Sequence, residues 1–161
     1  MTPPSHTITI RPVEPKDLDT FFEHMQDAEA LWQAAFTPPD PTDREVFDAH
    51  WAKLFADENV LALTILRDGA NVGHIASFEM FGDREITYWI DRSAWGTGVG
   101  TAALAEFVKV ETTRPLFGRT AKDNTGSIRV MTNNGFRVIG EDRGFATARN
   151  EDIDELVLKL G

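Results

Sequence analysis

One stretch of the chain decides its fold: Ile90-Asp-Arg-Ser-Ala-Trp-Gly-Thr-Gly-Val-Gly-Thr101. An apolar strand runs into this stretch, glycines alternate with other residues in it, and an amphipathic helix follows it. Glycine lets the backbone turn its N–H groups inward and lets a ligand approach where a Cβ would block it. The first turn of a helix adds unpaired N–H donors and a partial positive charge. The stretch therefore predicts a phosphate site that needs no basic side chain.

Two common phosphate-binding loops fit this stretch poorly. A P-loop requires Gly-Lys-Ser/Thr, and the stretch contains no lysine. The dinucleotide fingerprint spaces its glycines as GxGxxG, whereas this stretch reads GxGxG. Tight-turn signals at Asp68-Gly69 and Gly82-Asp83 predict hairpins between the preceding strands, whereas a dinucleotide fold needs crossover helices. A Rossmann-type oxidoreductase domain is therefore disfavoured and stays open as an alternative.

Hydrophobic periodicity along the chain predicts one α+β domain over residues 1–161. Helices are expected from Pro15, across 46–55, after the glycines and across 124–134. The predicted element order is β-α-α-β-β-β-α-β-α-β-β, without a repeat or a linker. The strands of this order are expected at 7–13, 59–67, 72–80, 85–91, 115–120, 136–141 and 154–160.

The composition is that of an ordinary globular protein, and it bounds the chemistry. The 161 residues include no cysteine, which excludes disulfides, thiolate zinc sites and a cysteine nucleophile. No cluster of His, Asp and Glu has metal-ligand spacing, so no metal is expected. Because Met1–Arg11 lacks an apolar h-region and no apolar run could cross a bilayer, we expect neither a signal peptide nor a membrane partner. These features fit a cytoplasmic protein.

The formal charge of -10 is unevenly distributed along the chain. Residues 1–80 carry 5 Lys/Arg against 14 Asp/Glu, whereas residues 81–161 carry 11 against 12. Such a surface repels polyanions, so no nucleic-acid partner is expected. The acidic half attracts a cationic partner or simply keeps the protein soluble. The sequence does not fix an oligomeric state, and a homodimer stays open.

The glycine stretch resembles the acetyl-CoA motif of the GNAT acetyltransferase superfamily, written Q/R-x-x-G-x-G/A. Gly98 and Gly100 take the two glycine places, and Trp95 departs from the motif at the Gln/Arg place. Three segments are similar in sequence to the branch of the family that acetylates N-termini of ribosomal proteins. They are Trp95-Gly96, Asn124-Thr-Gly-Ser127 and Asn134-Gly-Phe136. The resemblance implies a GNAT-type fold, in which a mixed, mainly antiparallel central sheet is flanked by helices.

The resemblance also implies acetyl-CoA as cosubstrate and assigns residues to it. The pyrophosphate is expected at residues 96–101, and the backbone at the end of the preceding strand is expected to pair with the pantetheine amides. Asn124 offers a donor and an acceptor to the same arm, although asparagine is equally at home as a helix N-cap. The expected cofactor-binding residues are Ile90, Arg92, Trp95, Gly96, Thr97, Gly98, Val99, Gly100, Thr101, Asn124 and Ser127.

Catalytic residues are less clearly marked in the sequence. Many members of the family carry a tyrosine seven residues after the asparagine, as the acid for the leaving thiolate, and Met131 stands at that place here. Ser127 is the replacement donor that we expect, although serine is also ordinary in a first helical turn. Glu85 is the candidate general base and Glu79 a weaker one; both are also typical of solvated strand ends.

The acceptor is expected to meet the first two helices and their connecting loop. Trp32 and Phe36 lie outside the best helical period there and are candidate substrate contacts, together with Glu79. The sequence as a whole predicts an N-acetyltransferase that moves the acetyl group to a primary amine, on a protein N-terminus or a small cationic molecule, by direct attack in a ternary complex. The alternative is a noncatalytic sensor module that binds acyl-CoA or a nucleotide.

Overall fold

The computed structural model describes residues 6–161, which form a seven-stranded sheet with α-helices on both faces. Residues 1–5, part of the segment in which no signal peptide is expected, lie outside the described residues. The strands are β1 Ile8–Pro12, β2 Leu61–Arg67, β3 Ala70–Met80, β4 Asp83–Ile90, β5 Leu116–Ala121, β6 Arg137–Ala146 and β7 Glu151–Leu160. The α-helices are α1 Leu18–His24, α2 Ala28–Ala34, α3 Arg44–Ala56, α4 Val99–Val110 and α5 Thr125–Asn133.

The strand order in the sheet is β1-β2-β3-β4-β5-β7-β6. All neighbouring strands run antiparallel except β4 and β5, which are parallel. These two strands pair only at the start of β4, where Ile86 is opposite Gly118, and they separate beyond that point. We call the opening between residues 87–90 and 119–121 the strand gap. The predicted mixed, mainly antiparallel sheet is confirmed.

The predicted element order is confirmed with one addition, the helix α2. The apolar residues from Leu18 to Met25 predicted one helix from Pro15, but α1 ends at His24 and a second helix starts at Ala28. Asp27 causes the restart because its carboxylate accepts a hydrogen bond from the amide of Ala30, as an N-cap. The chain therefore changes direction here, and α2 reaches the site described below.

The sheet separates two hydrophobic clusters. On one face, α4 and α5 pack through fully buried side chains that include Leu104, Phe107 and Met131. On the other face, α1 and α3 pack through Phe21 and Trp51, with Phe47 beside them. Within residues 6–161, the helices are too short or too polar to cross a membrane.

Candidate active site

A cleft of about 630 Å³ opens at the wide end of the strand gap. Its walls come from the end of β4, the glycine stretch, the start of α5 and one side of α2. Elements that are distant in sequence therefore surround one elongated volume. Most of the residues expected to contact a cofactor line it.

The glycine stretch has the geometry of an anion site. Gly96 and Gly98 have φ of 71° and 84°, which is the left-handed region that favours glycine. Helix α4 starts directly after Gly98, and its first internal bond runs from the amide of Ala102 to the Gly98 carbonyl. The amides of residues 99–101 therefore precede the helical ladder and have no partner within it. These donors lie where the cleft begins, and the helix dipole adds positive potential.

Gly100 lines the same cleft and also has a packing role. A Cβ at this position would lie 2.8 Å from Val130 Cγ2 and 3.0 Å from Ile90 Cδ1. The missing side chain thus lets α4 approach both α5 and β4 closely. At Gly98, by contrast, a Cβ would meet no atom within 4 Å, so glycine is needed there for its backbone conformation.

The edge of β4 that faces the strand gap presents free backbone groups. The amide of Asp91 donates to Val72 on β3, so alternation directs the backbone groups of Tyr88 and Ile90 into the gap. The indole N–H of Trp95 donates to the Ile90 carbonyl at 2.9 Å. Trp95 therefore holds the end of the strand, and the Ile90 N–H and both backbone groups of Tyr88 are left for a ligand.

Two other expected cofactor residues lie beside the cleft rather than along the strand. Arg92 follows the end of β4 and begins a 3-10 turn, and its side chain lies 3.2 Å from the carboxylate of Asp27. Thr97 donates its hydroxyl to the carbonyl of Ala94 and closes the turn before the helix. Thr97 thereby shapes the glycine stretch, whereas Arg92 links the end of β4 to the N-cap of α2.

Asn124 is the N-cap of α5. Its side-chain oxygen accepts from the amide of Ser127 at 3.2 Å, and its side-chain nitrogen donates to the carbonyl of Gln33 at 3.3 Å. Both ends of the side-chain amide are thus engaged, one within α5 and one with α2. Asn124 lines the cleft, and its contact with a pantetheine arm stays a prediction.

Ser127 meets a partner that the sequence analysis missed, Tyr88. The phenol oxygen lies 2.6 Å from Ser127 Oγ and 3.2 Å from the Ser127 carbonyl oxygen. Burial raises the pKa of Tyr88 to about 12, against the smaller lowering effect of the Ser127 hydrogen bond. The signal for this contact was the alternation of β4, because Tyr88 shares a face with Ile86 and Ile90, which pack toward α5.

Glu85 lies on the opposite face of β4. It is buried, and its carboxylate accepts from Arg119 Nε at 3.1 Å. Arg119 also lies 3.3 Å from Asp142 and from Glu155, so three carboxylates surround one guanidinium. Burial raises the pKa of Glu155 despite its bond to Arg119. The sequence did not indicate this network, since the pairing of four strands, β4, β5, β7 and β6, brings its members together.

Glu79 lies away from the cleft. It is opposite Arg84 in the sheet, at the start of β4, whereas the cleft opens at the end of that strand. Its neighbours there are Glu58 and Asp83, which line a separate depression. The structure therefore does not bring Glu79 together with Ser127 or with the glycine stretch.

Trp32 and Phe36 lie at the C-terminal end of helix α2. We call residues 32–36 the α2 end. Arg149 donates to the Trp32 carbonyl at 2.9 Å and stacks over the Trp32 ring at 4.8 Å. The same guanidinium forms two bonds of 2.7 and 2.9 Å with Asp123, just before α5. The α2 end is thereby fixed to the β6–β7 loop and to α5. The two aromatic side chains stay 46% and 39% exposed and are not among the residues lining the cleft, and their contact with an acceptor stays a prediction.

Metal chemistry has no apparent site in the part of the chain that the structure describes. Among residues 6–161, no group of three or more His, Cys, Asp or Glu side chains is placed to hold a metal ion. The groups that line the cleft include backbone donors and the hydroxyls of Tyr88 and Ser127, whereas Glu85 and Arg119 are not among its lining residues.

Comparison with known proteins agrees with this geometry. The model of the acetyltransferase (GNAT) domain matches residues 7–137, and the chain belongs to this family of acyltransferases. The Bacillus subtilis (strain 168) protein YdaF, named as a candidate ribosomal N-acetyltransferase, is 32% identical over 109 residues. That match covers 63% of this chain and 60% of YdaF, so it spans less than two thirds of either protein.

Solved structures share the fold over nearly the whole chain. One titled as a probable acetyltransferase is 28% identical, with a TM-score of 0.77 and coverage of 95% of this chain and 92% of the other. Mycobacterium smegmatis RimJ, solved in complex with CoA-disulfide, has a TM-score of 0.80 at 22% identity and covers 95% and 81%. At that identity the likeness to RimJ shows the fold alone.

Proposed function

We propose that this chain, as one domain over residues 1–161, transfers the acetyl group of acetyl-CoA to a primary amine. The observation that carries the proposal is the strand gap, which opens onto a glycine stretch with unpaired amide donors. An extended ligand with an anionic end and an amide-containing arm matches both parts of this cleft. A cytoplasmic location, expected from the composition, belongs to the same proposal.

The cleft fits acetyl-CoA in charge and in hydrogen-bonding pattern. The amides of residues 99–101 would hold the pyrophosphate, and the free backbone groups of Tyr88 and Ile90 would pair with the pantetheine amides. When bound, acetyl-CoA supplies an activated thioester. The task of the protein is then to orient that thioester, stabilise developing negative charge and manage two protons.

Ser127 is the proposed donor to the leaving sulfur. Met131, at the place of the family's tyrosine, is fully buried in the core and carries no proton to give. The Ser127 hydroxyl lines the cleft one turn earlier on the same helix. A hydroxyl in this position can donate to a thiolate as charge develops on it.

Glu85 is the proposed group that takes the proton of the incoming ammonium. Strand alternation places its side chain on the face of β4 that lies opposite Ser127, with α1 and α3. The carboxylate is bound to Arg119, so it would receive the proton through a water molecule or after the pair separates. Attack would occur directly, with both substrates bound.

The acceptor class follows from charge and from the relatives. Residues 1–80, which supply the acceptor side, carry most of the net negative charge, and this favours a cationic amine. The name of YdaF, a candidate ribosomal N-acetyltransferase, favours an amino group of a protein, for which the exposed rings of Trp32 and Phe36 supply an apolar rim. We therefore place protein N-termini first and small cationic amines second.

The direct test is release of thiol from acetyl-CoA in the presence of different amines. Because the chain has no cysteine, a thiol reagent added to the reaction detects only free CoA. Peptides with a free N-terminus, the same peptides blocked at the N-terminus, and polyamines form the panel. Thiol release that requires a free amine, with an acetylated product by mass, supports the proposal. Tight CoA binding without turnover on any amine would instead identify a noncatalytic acyl-CoA sensor.

A further inference from the structure

We propose that Tyr88 and Ser127 form a two-hydroxyl proton donor, in which Tyr88 resupplies the proton that Ser127 gives to the leaving sulfur. This inference rests on the proposed acetyl transfer and adds a residue from β4 to it. The family's tyrosine place on α5 is Met131, so a phenol enters the cleft from the sheet instead of from the helix. Tyr88 is the only tyrosine in the chain.

The two hydroxyls have two hydrogen-bonding arrangements. In the first, the Tyr88 hydroxyl donates to the Ser127 carbonyl at 3.2 Å, and the Ser127 hydroxyl donates to the phenol oxygen. In the second, the Tyr88 hydroxyl donates to Ser127 Oγ across 2.6 Å. Because each hydroxyl has one hydrogen, only the second arrangement frees the Ser127 proton to point into the cleft. Tyr88 therefore controls the direction of the Ser127 proton.

The surroundings of the pair suit a donor. Tyr88 is largely enclosed between β4 and α5, and burial raises the pKa of its phenol to about 12, so it holds its proton through the neutral range. A serine hydroxyl alone is a weak acid, and a second hydroxyl that donates to it strengthens its donation through cooperative polarisation. The short oxygen–oxygen distance gives this coupling its strength.

The proton and electron balance of the step is complete. The amine nitrogen forms a bond to the acetyl carbon, and the carbon–sulfur bond breaks with its electron pair going to sulfur. Ser127 gives its proton to that sulfur, and Tyr88 gives its own to the Ser127 oxygen. Solvent returns a proton to Tyr88, while the base passes the amine proton to solvent. No oxidant, reductant or further reactant is needed.

The kinetic test compares Tyr88→Phe, Ser127→Ala and the double variant. Tyr88→Phe keeps the ring and removes the hydroxyl, so kcat should fall roughly 10- to 100-fold while the KM for acetyl-CoA stays nearly constant. Since the hydroxyls act as a unit, the double variant should be little slower than Ser127→Ala. Thr132→Val removes a hydroxyl of α5 that does not line the cleft and that donates to the backbone carbonyl of Arg129, so it should leave kcat unchanged.

A second measurement is independent of turnover. With excess protein, the thiol of bound CoA is the only thiol present, so its ionisation can be followed by thiolate absorbance or alkylation rate across pH. Hydroxyls that donate to the sulfur stabilise the thiolate and lower the pKa of the CoA thiol. That pKa should therefore be higher with Tyr88→Phe or Ser127→Ala than with the unmodified protein, by about one unit or a tenfold change in ionisation.

The outcomes separate this inference from the proposed function. Slower turnover together with a higher thiol pKa in Tyr88→Phe supports the hydroxyl pair. Normal turnover in Tyr88→Phe, or slower turnover with an unchanged thiol pKa, overturns it and leaves acetyl transfer standing. If the unmodified protein transfers no acetyl group, the proposed function fails. A Tyr88-dependent thiol pKa would then still place the pair at the sulfur.

Discussion

Single glycines in the stretch before α4 serve different physical purposes. Gly98 has a positive φ and open space around it, so its contribution is conformational. Gly100 has an ordinary helical backbone, and its contribution is the close contact of α4 with Val130 and Ile90. A sequence motif does not distinguish the two glycines. A side chain at Gly98 should strain the backbone, whereas one at Gly100 should overpack the helix contact.

We expect Gly100→Ala to destabilise the fold by about 1–3 kcal/mol, because the new methyl group overpacks the contact between α4 and α5. Val130→Ala removes the nearest atoms, so the double variant should be more stable than the sum of the two single effects. Urea unfolding of the four proteins measures this coupling. Strict additivity would show that Gly100 is not constrained by packing.

Sequence reasoning located residues that are close together along the chain. The glycine stretch, the N-cap Asn124 and the first-turn Ser127 each depend on local geometry, which a short motif can encode. The pairing of Tyr88 with Ser127 spans 39 positions and depends on how α5 packs against β4. The carboxylates around Arg119 also come from distant parts of the chain. No local sequence pattern therefore predicts this network.

At the scale of elements, the α2 end forms one side of the site through a small number of contacts. Arg149 is its main anchor, since the guanidinium bonds the Trp32 carbonyl, covers the Trp32 ring and pairs twice with Asp123. The Arg149 side chain is almost completely buried, although it lies in the loop after β6. The position of α2 therefore depends on the planar guanidinium group of Arg149, whose set of hydrogen bonds a lysine ammonium cannot form.

We expect Arg149→Lys to loosen the α2 end while the sheet stays folded. Hydrogen exchange in residues 28–36 should become roughly tenfold faster, and the KM for the amine should rise more than the KM for acetyl-CoA. Arg143→Lys is the matched control, because Arg143 lies on the same hairpin and forms an exposed pair with Asp154. Equal exchange rates in both variants would contradict the anchoring role.

The elements themselves were largely predictable, and α2 shows where prediction stopped. Every strand was predicted, most of them from apolar residues that repeat with a period of two. The hairpin of β6 and β7 is longer than predicted, because β6 ends at Ala146 rather than at 141 and β7 starts at Glu151 rather than at 154. Helical spacing from Leu18 to Met25 indicated α1, but Trp32 lies outside the best helical period, so α2 was not predicted as a separate helix. The hydrogen bond from the Ala30 amide to the Asp27 carboxylate marks the start of α2, and it is seen only in the structure.

At the scale of the whole molecule, the acidic half should act on the acceptor over a distance. Salt screens such attraction beyond about 10 Å at roughly 0.1 M ionic strength. The kcat/KM for a cationic amine should therefore fall several-fold between about 0.05 and 0.5 M NaCl, and that for acetyl-CoA should change less. A neutral analogue of the same acceptor is the control. Equal salt dependence for both acceptors would assign the acidic residues to solubility alone.

A buried histidine should make stability depend on pH. His74 lies among Phe21 and Trp51, where burial, with smaller effects of His24 and His50, lowers its pKa to about 3. The unfolded chain takes up a proton near pH 6.5 and the folded chain does not, so stability falls as pH falls between these values. The loss between pH 6.5 and 5.5 should be about 1 kcal/mol.

Urea midpoints measured at several pH values test this prediction. His74→Phe keeps an aromatic ring in the cluster and removes the titrating group, so the slope of stability against pH should become shallower. Some slope should persist, because burial also lowers the pKa of His24. An unchanged slope in His74→Phe would assign the pH dependence in this range to His24 and His50, because burial lowers the pKa of both.

The short junction between β4 and β5 has a consequence for how the molecule unfolds. These strands share 3 residue pairs, whereas β3 and β4 share 8 and β6 and β7 share 9. The sheet thus consists of two halves that are each well bonded and only briefly joined. A ligand lying in the gap would hydrogen-bond across this junction like an added strand. Unfolding of the two halves should therefore be more cooperative when a ligand is bound. Without a ligand, the sheet should separate first between β4 and β5.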